Sequence, residues 1–126
     1  SLAFSPDGQT LASASQDRTV GLWHVKQRRK LDLLSGHKGW VDSVAFSPDG
    51  QTLATGGFDH TLRLWNLQSR RELGVLLGHS ATVTTIAFSP DGQWLASGDG
   101  SGAIRFWHAP PLAELDLAQK TKEERK

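Results

Sequence analysis

The sequence predicts an all-β fold in which one antiparallel sheet is repeated three times along the chain, and three observations predict it. The string FSPDGQ begins three times at a spacing of 42 residues, at Phe4, Phe46 and Phe88. A tryptophan follows each copy at the same spacing, at Trp23, Trp65 and Trp107. Between these landmarks the apolar residues alternate as they do in strands, with no helical period. A fixed period of this length indicates a repeat architecture.

Each copy reads as four short strands joined by tight turns, and the complete second copy shows this best. The step from Val44 to Phe46 has strand period, whereas the step from Val41 to Val44 is one residue too long and predicts a β-bulge. Residues 47–50, Ser-Pro-Asp-Gly, supply a turn, because proline presets φ and glycine accepts a positive φ. Three further strands are predicted at 51–55, 61–66 and 71–77.

Composition excludes several classes of function. The 126 residues carry 14 Lys and Arg against 13 Asp and Glu, so bulk charge does not favour nucleic-acid binding. Cysteine is absent, which excludes disulfides, zinc fingers and thiol nucleophiles. No apolar run approaches the roughly 18–20 residues that a bilayer crossing needs. The five histidines include no pair at metal-ligand spacing, so we expect no metal and no cofactor.

The copies resemble the WD40-repeat β-propeller family, whose repeats run to about 40–45 residues with Gly-His near the start and Trp-Asp near the end. Gly36-His37 and Gly78-His79 match the first landmark, whereas the residue after each tryptophan is His24, Asn66 or His108 instead of Asp. The resemblance covers residues 1–107 and implies a partial propeller of three four-stranded antiparallel blades. We place the blades at residues 1–35, 36–77 and 78–109.

The last part of the chain departs from the repeat. Ala109-Pro110-Pro111 falls where a fourth strand is due, and two prolines cannot join a ladder, so we expect the last blade to lack its own outer strand. Residues 110–126 are good helix formers behind a proline and predict a short C-terminal helix. Three blades cannot close a ring, so we expect the C-terminal piece of a longer propeller. The alternative is a ring completed by homo-oligomerisation.

Histidine, hydroxyl and carboxylate groups recur in the copies, and they have two readings. His37, Thr55 and Asp59 are the ingredients of a nucleophilic triad. The family resemblance implies instead a structural hydrogen-bond network of these three residues with Trp65. Repetition favours the structural reading over catalysis. The other copies supply part of the set: Ser13, Asp17 and Trp23 in the first, and His79, Ser97 and Trp107 in the third.

The third copy differs from the second at the carboxylate. Ser101 stands where Asp is expected; Asp99, two residues earlier, is a candidate substitute through a different turn, and we expect a weaker network there.

The resemblance also implies partner binding through the loops at one end of the propeller, which we call the top face. The positions that correspond to interaction-prone family positions are Trp40, Asp42, Phe58, Thr82, Thr84 and Gln16. Trp40 and Phe58 are the strongest, because the other copies have no aromatic residue at these positions. Local packing between blades is the competing explanation for both.

The function implied is a non-catalytic protein–protein interaction scaffold in a larger regulatory or signalling protein of bacterial type. Its partners would be proteins held by the top-face loops, together with the remaining blades of a parent chain or further copies of this one. We expect a cytoplasmic protein with no membrane segment in this stretch. Two alternatives stay open: a small-ligand or enzymatic propeller with its site at the channel mouth, for which Asp42 is the one candidate, and a nucleic-acid binder, which the charge balance disfavours.

Overall fold

A computed structural model describes residues 1–108, and it consists of eleven strands. The predicted helix over 110–126 lies outside the described residues, as does the last residue of the third blade as we bounded it. In chain order the strands are β1 (Leu2–Phe4), β2 (Thr10–Ala14), β3 (Thr19–His24), β4 (Arg29–Ser35), β5 (Val41–Phe46), β6 (Thr52–Gly57), β7 (Leu62–Asn66), β8 (Arg71–Leu76), β9 (Val83–Phe88), β10 (Trp94–Asp99) and β11 (Ile104–His108).

The strands form three separate antiparallel sheets, in which every strand pairs with its neighbour in sequence. The orders are β1-β2-β3-β4, β5-β6-β7-β8 and β9-β10-β11, so within residues 1–108 the third sheet has three strands. This arrangement confirms the predicted all-β fold of partial propeller blades. We call the sheets the first, second and third blades.

The Ser-Pro-Asp-Gly turns join the first two strands of each blade by the same hydrogen bonds. In the second blade the Gly50 N–H donates to the Ser47 carbonyl over 2.9 Å, and the Thr52 N–H donates to Ser47 Oγ over 3.0 Å. Gly50 has a φ of 74°, a left-handed conformation that residues with a side chain rarely adopt. These turns fix the register that follows them.

A β-bulge lies at the start of β5, where the sequence predicts one. Val41 pairs with Gly57 and Ser43 pairs with Gly56, so Asp42 is the extra residue and is exposed. The third blade repeats the irregularity, since Val83 pairs with Asp99 and leaves Thr84 unpaired in the ladder. A bulge re-aims the side chains around it, and both of these lie beside the top-face loops.

The hydrophobic core lies between blades. We call the face that a blade turns to the blade before it the front face, and the opposite face the back face. The back face of the first blade packs against the front face of the second through Ala12, Val20, Leu22, Leu34, Val41, Val44, Leu53 and Trp65. The second and third blades meet in the same way through Ala54, Leu62, Leu64, Leu76, Val83, Leu95 and Trp107. Each blade is therefore stabilised by its neighbours.

The second junction needs a glycine. A Cβ on Gly56 would lie 2.5 Å from Cγ1 of Val83, so an alanine there would push the third blade away. The absence of a side chain thus sets how closely the two sheets approach.

Candidate partner-binding site

In the second blade a chain of buried side chains connects the sheet to its top loops. The Trp65 indole N–H donates to Thr55 Oγ1 over 2.9 Å, and the Thr55 hydroxyl lies 2.7 Å from Nε2 of His37. On the other side of the ring, His37 Nδ1 lies 3.1 Å from Oδ2 of Asp59. A neutral imidazole with its proton on Nδ1 satisfies every link, because Nε2 then accepts from the threonine hydroxyl.

The surroundings hold His37 neutral and Asp59 ionised. Burial disfavours the imidazolium and outweighs the attraction of the Asp59 carboxylate, so the pKa of His37 lies below its ordinary value. For Asp59 burial acts in the opposite direction, but hydrogen bonds from the Lys38 N–H and from Thr61, together with the His37 contact, outweigh it and lower its pKa.

The contacts among Thr55, His37 and Asp59 resemble those of a nucleophilic triad, but a substrate could not reach the Thr55 hydroxyl. Thr55 has no exposed surface, and its oxygen already accepts the indole N–H of Trp65. A nucleophile has to reach a substrate carbonyl or phosphoryl group, which a hydroxyl sealed between two blades cannot do. What this arrangement does is satisfy buried polar groups, each of which would cost about 1–3 kcal/mol if left without a partner.

The third blade builds the same chain with its carboxylate supplied from a different position. The Trp107 indole N–H donates to Ser97 Oγ over 2.9 Å, and Ser97 Oγ lies 2.6 Å from His79 Nε2. The expectation of a weaker network here is wrong, because Asp99 at the end of β10 places Oδ2 only 2.7 Å from His79 Nδ1. Ser101, at the position expected for the carboxylate, donates its hydroxyl to Asp99 Oδ1 over 2.6 Å.

Hydrogen bonds also set the acidity of Asp99. The Ser101 hydroxyl and the His79 ring hold the pKa of its carboxyl far below the usual range.

The first blade contains a shorter version. The Trp23 indole N–H donates to Ser13 Oγ over 2.9 Å, and Asp17 Oδ1 accepts the Thr19 hydroxyl over 2.6 Å. Asp17 is exposed and contacts Ser15 and Thr19 in its turn. The structure therefore joins Ser13 to Trp23, whereas the position equivalent to His37 would precede Ser1, so the contacts of Asp17 within the given chain are those of its own turn.

In the second blade the network holds two loops of the top face together. The Lys38 N–H donates to Asp59 Oδ2 over 2.9 Å, which ties the loop before β5 to the turn after β6. Between the same two loops, the Phe58 N–H donates to the Trp40 carbonyl over 2.7 Å. Backbone bonds of this kind fix where the side chains of Trp40 and Phe58 lie.

Trp40 and Phe58 form an exposed aromatic pair. Their ring centroids are 5.6 Å apart at an interplanar angle of 38°, within the range of favourable aromatic contact. The side chains are 49% and 57% exposed, so the contact between them leaves about half of each surface open to solvent. Local packing therefore accounts for only part of these two side chains.

The remaining partner-binding candidates are more scattered. Asp42 and Gln16 are exposed, Thr82 is half-buried, and the exposed Thr84 donates its hydroxyl to the Gly98 carbonyl over 3.4 Å. The Thr82 carbonyl accepts the Gly100 N–H over 3.0 Å, which is the counterpart of the Trp40–Phe58 backbone bond. The third blade thus repeats the scaffold of the pair without its aromatic side chains.

The sequence analysis did not predict two contacts that the structure shows. Trp94 and His108 form an edge-to-face pair with centroids 5.3 Å apart, at the end of the third blade opposite the top face, which we call the bottom. Arg63 places Nη1 2.7 Å from Glu72 Oε1 and Nη2 4.0 Å from Asp59 Oδ2, which adds an ion pair beside the network. The strand register brings Trp94 opposite His108, so a correct pairing of the predicted strands would have found the first of these.

Other classes of site are not supported by the described part of the chain. Nowhere in residues 1–108 do three or more His, Asp or Glu side chains converge in a way that could hold a metal ion. The same residues contain no helix with the length and apolar character that crossing a membrane requires.

Comparison with known families places these features in context. The sequence model of the family described as WD domain, G-beta repeat, matches this chain three times, over residues 1–24, 28–66 and 70–108. The chain belongs to the WD40 family. The three matches cover the described blades, and WD40 domains are in general protein-interaction modules without catalytic activity.

Similar segments occur in curated WD40 relatives from distant organisms. The chain is 40% identical over 38 residues to the general transcriptional corepressor TUP1 of Saccharomyces cerevisiae, and 50% identical over 41 residues to the WD repeat-containing protein alr2800 of Nostoc. It is 47% identical over 38 residues to the U3 snoRNP-associated protein-like YAOH of rice. Each match covers 30–32% of this chain and only 3–7% of the relative. The likeness is therefore that of about one repeat within much longer proteins.

Proposed function

We propose that this chain is a non-catalytic WD40 scaffold that holds a protein partner on its top face, with Trp40 and Phe58 as the anchor. The observation that carries the proposal is their half-exposed contact, with ring centroids 5.6 Å apart, on two loops joined by a 2.7 Å backbone hydrogen bond. Large aromatic side chains that are already ordered lose little entropy on binding, and tryptophan is among the residues enriched in binding hot spots.

The other predicted residues would surround this anchor. Asp42 follows Trp40 at the bulge of β5 and is exposed, so it would supply polar contacts and charge at the edge of the interface. Gln16 and Thr82 lie on the corresponding loops of the neighbouring blades, Thr84 lies at the bulge of β9, and all three would extend the contact. The His37 network then has a positioning role, because Asp59 holds the loop that carries Trp40.

The wider setting is part of the proposal. The near-identical repeats and their Ser-Pro-Asp-Gly turns favour a regulatory or signalling protein of bacterial type in the cytoplasm, with this chain as part of a longer propeller. The Nostoc relative, 50% identical over one repeat, is consistent with that origin. Two other relatives are named as a general transcriptional corepressor and as a U3 snoRNP-associated protein-like protein, and the second name describes a protein associated with a larger particle.

Photocrosslinking tests the anchor directly. A benzoylphenylalanine in place of Phe58 keeps an aromatic ring at the site, and the same residue in place of Gln51, an exposed residue of a bottom turn, is the matched control. We expect position 58 to give a discrete crosslinked protein in cells, and position 51 to give none or a different one. Identical products from both positions would contradict the proposal.

A salt and nuclease comparison separates a protein partner from nucleic acid. Crosslinking that is carried out after nuclease treatment, or at moderate salt, should still give the product, because an aromatic anchor is not screened as phosphate contacts are. Loss of the product under both conditions would favour electrostatic binding to nucleic acid instead.

A further inference from the structure

The aromatic pair of Trp40 and Phe58 lies on the blade that has a described neighbour on each side. The second blade packs against the first and the third through both of its faces. Trp40 and Phe58 nevertheless stay about half exposed, because they lie on the top loops and not on a face that another blade covers. Their exposure is therefore a property of the top face, and the groups around them define what they can bind.

An exposed carboxylate lies on the same side of the chain as Trp40. Val41 is the first residue of β5 and is buried in the core between the first two blades, whereas its chain neighbours Trp40 and Asp42 are both exposed. The two residues that flank an extended residue project to the side opposite its own side chain. The carboxylate of Asp42 therefore projects to the same side as the exposed indole.

The charge of Asp42 is not neutralised by an ion pair within residues 1–108. The ion pairs of that part of the chain use the carboxylates of Asp32, Asp59, Glu72 and Asp99. On the first blade, the Ser15 carbonyl accepts the Val41 N–H over 3.0 Å, which holds the next top turn beside this strand. That turn carries one charge of each sign, on Asp17 and Arg18, so it adds no net charge to the site.

The aromatic rings decide the sign of the group that fits this site. Lys38 is exposed two residues before Trp40, and its charge alone would favour an anion. The face of an aromatic ring carries negative potential, however, and attracts cations. Trp40, Phe58 and Asp42 therefore favour the same kind of ligand group, a cation, and Lys38 opposes them from the other side of the tryptophan in the chain.

A guanidinium suits this combination of groups better than an ammonium does. It is planar and weakly hydrated, so it stacks on an aromatic face, and its forked N–H donors match a carboxylate. The rings of Trp40 and Phe58 are inclined to each other at 38° rather than stacked flat, and about half of each surface is open. One arginine side chain can therefore use a ring face and the Asp42 carboxylate together.

We propose that the protein partner places an arginine side chain here, with its guanidinium stacked on Trp40 and Phe58 and paired with Asp42. This inference rests on the proposed function, because it names the chemistry of the partner at the same aromatic pair. It is specific to the second blade. The third blade has threonine at the positions of Trp40 and Asp42 and glycine at that of Phe58, so it offers neither rings nor charge.

Selection from a random heptapeptide library on phage tests which side chain the site prefers without knowledge of the partner. Phage that bind the Trp40→Ala variant are removed first, and the remainder are selected on the wild type. Peptides that bind the wild type but neither Trp40→Ala nor Phe58→Ala should have arginine as their most enriched residue relative to the input library. Circular dichroism of both variants establishes that they are folded.

Calorimetric titration with synthetic versions of the selected peptide measures the contribution of the charge. Citrulline in place of the arginine keeps the planar shape and removes the charge, and should raise the Kd about tenfold. Lysine keeps the charge without the planar fork and should also bind more weakly. Asp42→Asn should weaken the arginine peptide and reduce its advantage over the citrulline peptide. Asp49→Asn, which removes an exposed charge from the bottom turn of the same blade, should leave both Kd values unchanged.

Three results would overturn the arginine assignment. They are a selection that yields no peptide dependent on Trp40 and Phe58, dependent peptides without arginine enrichment, and an arginine peptide whose Kd does not change with citrulline, with lysine or in the Asp42→Asn variant. With any of these, a discrete crosslink at position 58 would leave the aromatic pair as the anchor for a partner of other chemistry. Absence of that crosslink would instead contradict the proposed function itself.

Discussion

The second and third blades are built from the same repeat, but their surroundings differ. Both faces of the second blade are covered, and Leu62 and Leu64 are almost fully buried. The third blade has the equivalent Ile104 and Phe106 on an open face. The comparison shows that the repeat specifies the sheet and its turns, whereas burial depends on whether another blade packs against it.

The same two blades also differ in which residue supplies the carboxylate that hydrogen-bonds to the buried histidine. The second blade takes its carboxylate from Asp59 in the turn, and the third takes it from Asp99 at the end of the strand, two residues earlier in the repeat. A serine or threonine two residues after each aspartate donates its hydroxyl back to it. What is preserved is the position of the oxygen beside the imidazole, not the position of the residue in sequence.

The largest expected difference between the blades concerns the apolar faces. Leu64→Ala should lower the free energy of unfolding by about 3 kcal/mol, because it leaves a cavity in a closed junction. Phe106→Ala removes an exposed ring, and in dilute monomeric protein it should cost less than about 1 kcal/mol. Urea denaturation with an unchanged m-value measures both. Equal losses would mean that the third blade is covered in solution.

The second largest expected difference is in the free energy of unfolding that is lost when the polar network of each blade is interrupted. Thr55→Val keeps the shape of the side chain but leaves the indole N–H of Trp65 and Nε2 of His37 without a partner, so it should cost about 2 kcal/mol. Ser13→Ala in the first blade removes one partly buried link and should cost about 1 kcal/mol or less. Chemical denaturation of both variants checks the order. A smaller loss for Thr55→Val than for Ser13→Ala would contradict it.

Exchanging the two carboxylate positions sharpens the comparison. Asp99→Gly should lower the Tm, because His79 and Ser101 both lose their partner. Adding Ser101→Asp gives the third blade the arrangement of the second and should restore at least half of the loss. Differential scanning calorimetry of the single and double variants tests this, with Ser101→Asp alone as the control. No recovery in the double variant would mean that an aspartate at position 101 cannot place its carboxylate beside His79 as Asp59 does beside His37.

The smallest expected effect is a dependence of stability on pH. The pKa of His37 is lowered by burial, so between its ordinary value of about 6.5 and the lowered value the unfolded chain binds a proton that the folded chain does not. Stability should therefore fall as pH falls below about 6.5. His37→Asn should remove this part of the dependence. Thermal melts from pH 7 to pH 5 measure the slopes.

A second loss of stability should follow in more acidic solution. The pKa of Asp59 is lowered in the fold, so its contribution is present above the ordinary value of about 3.9 and is lost as pH falls through the lowered one.

The sequence predicted the fold to a large extent because repetition makes its signals redundant. Three copies of the turn and the tryptophan fixed the register of each blade, and the extra residue between Val41 and Val44 located the bulge. The expectation of a weaker network in the third blade is wrong because alignment by repeat compares residue numbers, whereas a hydrogen bond depends on where an oxygen lies. The sequence offered Asp99 as a substitute through a different turn, but only the coordinates show that it reaches His79 at full hydrogen-bonding distance.

The contact between Trp40 and Phe58 was also beyond sequence reasoning. Both residues were singled out because they are not repeated, but they lie 18 positions apart in the chain. Their meeting depends on the backbone bond between the two loops and on the Asp59 carboxylate that holds Lys38. Side-chain exposure, which makes them available to a partner, likewise depends on the packing of both loops.

The most direct test of the proposed scaffold is the affinity for the protein crosslinked at position 58. Isothermal titration calorimetry would compare the wild type with Trp40→Ala, and with Gln51→Ala as a bottom-face control of similar exposure. Trp40→Ala should raise the Kd about tenfold or more with the fold intact, since an aromatic anchor is lost. An unchanged Kd in folded Trp40→Ala protein would contradict the assignment of the top-face aromatic pair as the binding site.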